Sequence, residues 1–294
     1  MKRRTFIESS LATAALTALP SRTVAREHQM EKIGVQLYTV RDAIKADFAG
    51  TLEKIAAIGY KEVELAGYFD HPAKVIRAML DKAGLTAPSA HFSLDVLQAS
   101  LPETIESAHI MGHKFLVCPS LNEKLRNEPD GYKKVGAEFN NISEAIKKAG
   151  IQFAYHNHVF EFQPGTDGKL PYDILLESSD PQLVKMEMDL CWFTLGGQDP
   201  VAYFNKYPGR FPLVHVKDLK KVPKLAPGQK SDELTHLAEK EYMTEVGSGV
   251  IDWKRIFASG EKAGIEHYFV EHDSPKDPFA SLTASYKYLA ALRF

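Results

Sequence analysis

One setting recurs along this chain: a helical stretch, a glycine, then a short run of β-branched and aromatic residues. Lys82-Ala-Gly84 precedes Thr86 to Phe92, and Met111-Gly112 precedes Phe115 to Cys118. Lys148-Ala-Gly150 precedes Ile151 to His156, and Lys262-Ala-Gly264 precedes Tyr268 to Glu271. Glycine lacks a Cβ and enters the left-handed conformation without a clash, so each setting reads as a helix C-cap feeding a strand. An earlier helical pattern, with Leu52, Ile55, Ala56 and Ile58 on one face, stops at Gly59 and gives way to Val63-Glu-Leu65. Eight strand candidates begin near Ile33, Glu62, Ala87, Phe115, Ile151, Val184, Leu213 and His267, and a last helix runs from Pro278 to Leu292. Strict alternation of strand and helix argues for a parallel sheet. Eight such units over residues 31–294 predict an α/β fold, a single-domain (β/α)8 TIM barrel, which typically takes about 250 residues. An open doubly wound sheet usually carries a Gly-rich phosphate turn after an early strand, and this chain has none.

Composition narrows the class of partner. The chain of 294 residues is 44% hydrophobic and 25% charged, with a formal net charge of −2. That is ordinary globular composition with no basic excess, so nucleic acid is not expected as a partner. The two cysteines, Cys118 and Cys191, are too few for a disulfide framework and read as buried free thiols. Residues 1–30 read as an export signal and linker. Lys2-Arg-Arg-Thr-Phe-Ile7 is a basic start with an arginine pair, Leu11 to Leu19 is a short Ala-rich apolar run, and Thr23-Val-Ala25 is a small-x-small cleavage pattern. The apolar run is too short to span a membrane. The arginine pair is similar to that of a twin-arginine signal, so a periplasmic location is expected.

The strand candidates of the second half share a plan. Phe153-Ala-Tyr-His-Asn-His158 begins apolar and ends in two histidines, and Val184 to Asp189, Leu213 to His215 and His267 to Glu271 each end in an N or O donor. Parallel barrels place strand C-termini on one face, where their sites form. Asp189, His215 and Glu271 mix one imidazole with two carboxylates, a donor set that suits one divalent ion of Mn, Co, Zn, Fe or Mg. Because strand residues alternate faces, His156 and His158 point the same way. His158 is the candidate general base or acid, its ordinary pKa lying near neutrality; the alternative is that it orients a ligand. Glu64 ends the second strand, His91 the third, and Lys217 shares a face with His215. These are candidate substrate contacts, Lys217 for an oxyanion, while Asp218 reads as a loop cap. The long connection from Lys217 to Ile251 follows the seventh strand, so it either covers the site or is a surface insertion.

These residues carry a resemblance that covers residues 31–294. The chain resembles the xylose isomerase-like barrel superfamily, the group of sugar phosphate isomerases and epimerases, in Ile33-Gly-Val-Gln-Leu, Tyr155-His-Asn-His158, Met188-Asp189, His215-Val-Lys-Asp218, Gly247 to Trp253 and Val270-Glu271. The resemblance implies a divalent metal held by His156, Asp189, His215 and Glu271, with Glu271 also in acid/base work. Two departures stand out. Many epimerases of the group have Glu where this chain has His156, so the symmetric pair of catalytic glutamates is lost. Glu161, five residues on, is the alternative fourth ligand or a catalytic contact to substrate. The sixth strand reads Asp189-Leu-Cys-Trp192 in place of Asp-x-x-His. Trp192 cannot ligate a metal but can stack on a sugar face.

The expected function is a divalent-metal-dependent sugar isomerase or epimerase acting on a keto-sugar or sugar derivative through a metal-stabilised enediolate. A keto-glycoside lyase or dehydratase using the same site is the first alternative, and the loss of the strand-five glutamate favours it. A non-catalytic periplasmic sugar-binding barrel, with Trp192, Tyr38 and Phe92 as stacking platforms, is the second. The aromatic helix Tyr286 to Leu292 can bury against a partner copy or against the barrel.

Overall fold

The structure is a computed structural model that describes residues 28–128, 130–165, 167–223 and 230–294. The expected export signal falls almost wholly on residues outside this range. Eight parallel strands close into a barrel in the order β1-β10-β7-β6-β5-β4-β3-β2. They are β1 (Gly34–Gln36), β2 (Glu62–Leu65), β3 (Thr86–His91), β4 (Phe115–Cys118), β5 (Gln152–His156), β6 (Val184–Asp189), β7 (Leu213–Val216) and β10 (His267–Val270). The remaining two, β8 (Asp218–Leu219) and β9 (Met243–Thr244), pair antiparallel outside the barrel. The (β/α)8 expectation therefore holds, and the glycine settings are its hinges. Gly84, Gly112 and Gly264 are helix C-caps at φ of 70°, 76° and 81°.

Alternation along each strand sorts the side chains into two environments. Val63, Leu65, Leu116, Phe153, Tyr155, Met186, Met188, Val214 and Val216 face outward into the core shared with the helices. The helix Phe48–Ile58 seals one part of it with fully buried Leu52 and Ile55, each stabilising by roughly 1.5–3 kcal/mol. Phe115, Val117, Ala154, Leu213 and Phe269 form a separate apolar cluster inside the barrel. Farther along β5, β7 and β10 the inward positions turn polar. Leu213 is followed by His215 and Lys217, and Phe269 by Glu271 and Asp273. The closing helix Pro278–Ala291 packs back on the barrel. The Tyr60 hydroxyl donates to the Leu282 carbonyl at 2.9 Å, and the Tyr60 and Tyr286 rings lie 5.1 Å apart. Cys118 and Cys191 are buried free thiols, as expected. No helix among the described residues is long and apolar enough to cross a membrane.

Candidate active site

The upper inward layer gathers His156, Asp189, His215 and Glu271, whose donor atoms all lie within 4.8 Å of one another. Each is aimed by its local structure. The Asp189 Oδ1 caps the helix Leu190–Leu195, accepting from the Cys191 and Trp192 amides at 3.0 and 2.9 Å. That leaves Oδ2 buried and turned toward the other donors, its nearest charged neighbour being the Lys217 ammonium at 3.0 Å. His156 Nδ1 lies 3.2 Å from the Pro119 carbonyl, which fixes the proton there and turns Nε2 inward. Nε2 then sits 3.1 Å from His215 Nδ1 and 3.4 Å from Asp189 Oδ2. His215 Nδ1 lies 2.7 Å from Glu271 Oε2. Two imidazole nitrogens and two buried carboxylate oxygens converging on one point fit a divalent ion.

Lys217 extends this layer. Its ammonium is buried 3.0 Å from Asp189 Oδ2, 2.8 Å from Glu271 Oε2 and 3.0 Å from Asp273 Oδ2. Burial opposes its charge, but Asp189, Asp273 and Glu271 hold its pKa well above the ordinary lysine range. Glu271 is affected in the opposite sense. Burial would raise it, and Lys217 with His215 holds it well below the usual carboxylate range. Burial pushes the Asp273 carboxyl up to about 7, with Lys217 pulling against it. Burial, reinforced by neighbouring cationic groups, keeps His156 and His158 neutral, with pKa values well below that of free histidine.

Above this layer opens a pocket of about 220 Å³ lined by Tyr38, Ala66, His91, Pro119, His156, His158, Lys217, Glu239, Glu271 and Asp273. It is smaller than the roughly 300–1,000 Å³ of drug-sized ligand sites and suits one monosaccharide-sized ring. A larger crevice of about 770 Å³ lies between residues 28–32 and Phe257, Tyr268 and Phe294. It shares no residue with the set His156, Asp189, His215 and Glu271, and barrel chemistry belongs to the strand C-termini.

The expected site residues divide. His156, Asp189, His215, Glu271, His158, His91 and Lys217 meet in or beside the pocket. Glu64 does not line it. Glu64 lies one layer deeper, fully buried, bonded to Gln36, Ser89 and His215. Trp192 is not a stacking platform: it is 1% exposed, behind Lys217, whose ammonium lies 5.1 Å from the ring centroid. Phe92 packs on Tyr68 and likewise misses the pocket, whereas Tyr38 lines it at 43% exposure. Glu161 does not join the ligand set, because β5 ends at His156 and Glu161 sits in the 3-10 turn Phe160–Phe162. One Glu161 oxygen accepts from the Tyr155 hydroxyl and the other from the His158 amide at 2.8 Å. Three contributors were not foreseen. Glu187 lies two residues before Asp189, where alternation pointed to it, and Asp273 lies two residues past Glu271, beyond the end of its strand. Glu239 comes from the long connection, and no local pattern marked it.

Burial raises the Glu161 carboxyl to about 8 from an ordinary 4.5. Between those pH values the folded chain binds more protons than the unfolded one, so this group lowers stability as pH rises. Glu161→Gln is therefore expected to flatten the decline in denaturant midpoint between pH 5 and 9. Identical pH slopes for variant and wild type would show that the carboxyl is not buried as described.

The family described as the xylose isomerase-like TIM barrel matches residues 52–292. An inosose dehydratase of Lacticaseibacillus casei is 26% identical over 271 residues, covering 83% of this chain and 89% of the relative. One from Geobacillus thermodenitrificans is 25% identical over 253 residues, covering 79% and 83%. A crystal structure of a sugar phosphate isomerase/epimerase from Parabacteroides distasonis superposes with a TM-score of 0.70 at 28% identity, covering 95% of this chain and 99% of that one.

Proposed function

Because the chain belongs to the xylose isomerase-like TIM barrel family, we propose that its site eliminates water from an unphosphorylated cyclic keto-sugar or keto-polyol. The observation that carries this reading is a divided pair of proton carriers on one pocket: a neutral imidazole, His158, and a carboxyl raised to about 7, Asp273. Titratable groups whose environments push them to opposite proton loads mark acid and base roles. Dehydration needs both, one to take the proton beside the carbonyl and one to protonate the departing hydroxyl. The inosose dehydratase relatives support the same branch.

In this reading His156, Asp189, His215 and Glu271 hold the divalent ion, which when bound supplies Lewis-acid polarisation of the substrate carbonyl. His158 removes the α-proton. The Lys217 ammonium faces the oxygen that gains negative charge. Asp273 gives its proton to the leaving hydroxyl, which departs as water. Lys217 is the single lysine or arginine among the described lining residues, and Asp189, Glu271 and the Asp273 carboxyl already engage it. A dianionic phosphoryl group would have to share that one cation with them, which supports an unphosphorylated substrate. An exported enzyme would meet such sugars, so the proposed periplasmic location agrees with it.

The test is incubation of the metal-loaded protein with an inosose and a panel of keto-sugars in heavy water, followed by mass spectrometry. Loss of one water from a responding substrate is the expected result. Solvent deuterium incorporated without loss of water would replace dehydration with isomerisation or epimerisation. Saturable binding with neither event would favour a sugar-binding barrel.

A further inference from the structure

Beneath the upper ligand set lies a second one. We propose that Glu64, His91, Glu187 and His215 form a second divalent-cation site, a four-donor N2O2 cage one barrel layer below the first and sharing His215 with it. The four donor atoms alternate around a ring. His91 Nε2 is 2.8 Å from Glu187 Oε2 and 3.2 Å from Glu64 Oε2. His215 Nε2 is 2.6 Å from Glu64 Oε2 and 3.3 Å from Glu187 Oε2. A tetrahedral zinc ion holding imidazole nitrogen and carboxylate oxygen at about 2.0–2.2 Å sets neighbouring donors about 3.3 Å apart. The cage is thus already near the size it would need.

Charge and burial point the same way. Glu64, Glu187 and His215 are fully buried. Two carboxylates aimed at one point repel unless a positive charge lies between them. Protons on the two Nε2 atoms supply it in one state, and a divalent ion supplies it in the other. Glu187 Oε1, the second oxygen of the carboxylate whose Oε2 lines the cage, is buried with no hydrogen-bond partner among the described residues, so the carboxylate has a coordination position to spare. The cage is also braced from behind. Gln36 Nε2 donates to Glu64 Oε2 at 2.8 Å and lies 3.5 Å from His91 Nδ1, and the Ser89 hydroxyl donates to the other Glu64 oxygen. These contacts fix both ligand planes, as outer partners of metal ligands do. Entry is from the pocket, because His91 forms part of its wall.

His215 belongs to both sets, through Nδ1 above and Nε2 below. With both cages filled, His215 would serve each ion through one ring nitrogen and would have given up the protons on both nitrogens to solvent. The proton on His91 Nε2 is also released when the lower ion enters.

The experiment is metal counting by mass spectrometry on the purified chain after equilibration with Zn2+ and removal of loose metal. Wild type, Asp189→Ala, Glu187→Gln and His91→Gln are compared, with circular dichroism as the check on folding. Two ions in wild type and one in each variant are expected. With Co2+ in place of zinc, Glu187→Gln and His91→Gln should lose the same component of the visible absorption. A single ion in wild type that survives in Glu187→Gln and vanishes in Asp189→Ala would overturn the lower site while sparing the upper one. A single ion with the reverse pattern would uphold the lower site and remove the ligand set on which the proposed dehydration depends. No ion in wild type would overturn both.

Discussion

Asp189→Ala should purify folded, lose the ion of the upper layer, and turn over a responding keto-polyol roughly a thousandfold more slowly, equivalent to ~4 kcal/mol of transition-state stabilisation. The fold should survive because the remaining charges stay balanced. Lys217 keeps Glu271 and Asp273 within 3.0 Å, and His156 keeps its bond to the Pro119 carbonyl. The stability cost is the helix cap, since Asp189 Oδ1 holds two amides of Leu190–Leu195, and such a loss is about 1 kcal/mol. Asp189→Asn separates the two roles: it retains an oxygen for the cap and removes the charge from the ligand set. Metal content and turnover should fall in both variants, while the denaturant midpoint should fall mainly in Asp189→Ala. Full turnover in either variant would refute a metal-assisted reaction at this layer.

Asp218→Ala should cost about 4 kcal/mol and loosen the segment that carries Glu239. The fully buried Asp218 carboxylate accepts from the amides of Gly247, Gly249 and Ile251 and from the Trp253 indole, at 2.9, 3.2, 3.3 and 2.9 Å. Bonds to a charged acceptor are each worth roughly 1.5–3 kcal/mol, and the donors left behind in the variant are penalised again. The turn is built for this carboxylate alone: a Cβ on Gly249 would stand 2.1 Å from Asp218 Oδ1. Since β8 begins at Asp218 and pairs with β9, releasing it frees the connection that brings Glu239 to the pocket mouth. The expected kinetic signature is a KM that rises more than kcat falls, measured beside urea unfolding. A variant as stable as wild type would show that the knot is not what anchors the connection.

The foreseen part of the site was foreseen for a simple reason. Alternation along a strand is a local rule, and barrel closure brings strand ends together whatever their sequence separation. His156, Asp189, His215 and Glu271 could therefore be placed on one face before any coordinates. The same rule reaches Glu187, which lies within the run Val184 to Asp189, whereas Asp273 lies beyond the end of its strand. It failed where the strand failed. Glu161 lies on a turn, where period-two alternation has no meaning, and its carboxyl was spent on Tyr155 and the His158 amide. Trp192 lies on a helix whose direction is set by the Asp189 cap, which turns the indole behind Lys217.

The amino-acid sequence alone determined the barrel, because eight strand–helix alternations punctuated by glycine admit few other closed arrangements, and it determined which strand ends carry chemistry. The tertiary structure decided height and charge. Alternation says that Glu64 and His156 both point inward, but only strand register separates one beneath the pocket from one at its wall. Likewise only packing placed Lys217 among three carboxylates and Glu239 over the mouth. Those contacts join residues far apart in the chain, through burial and Coulomb forces that no local pattern records.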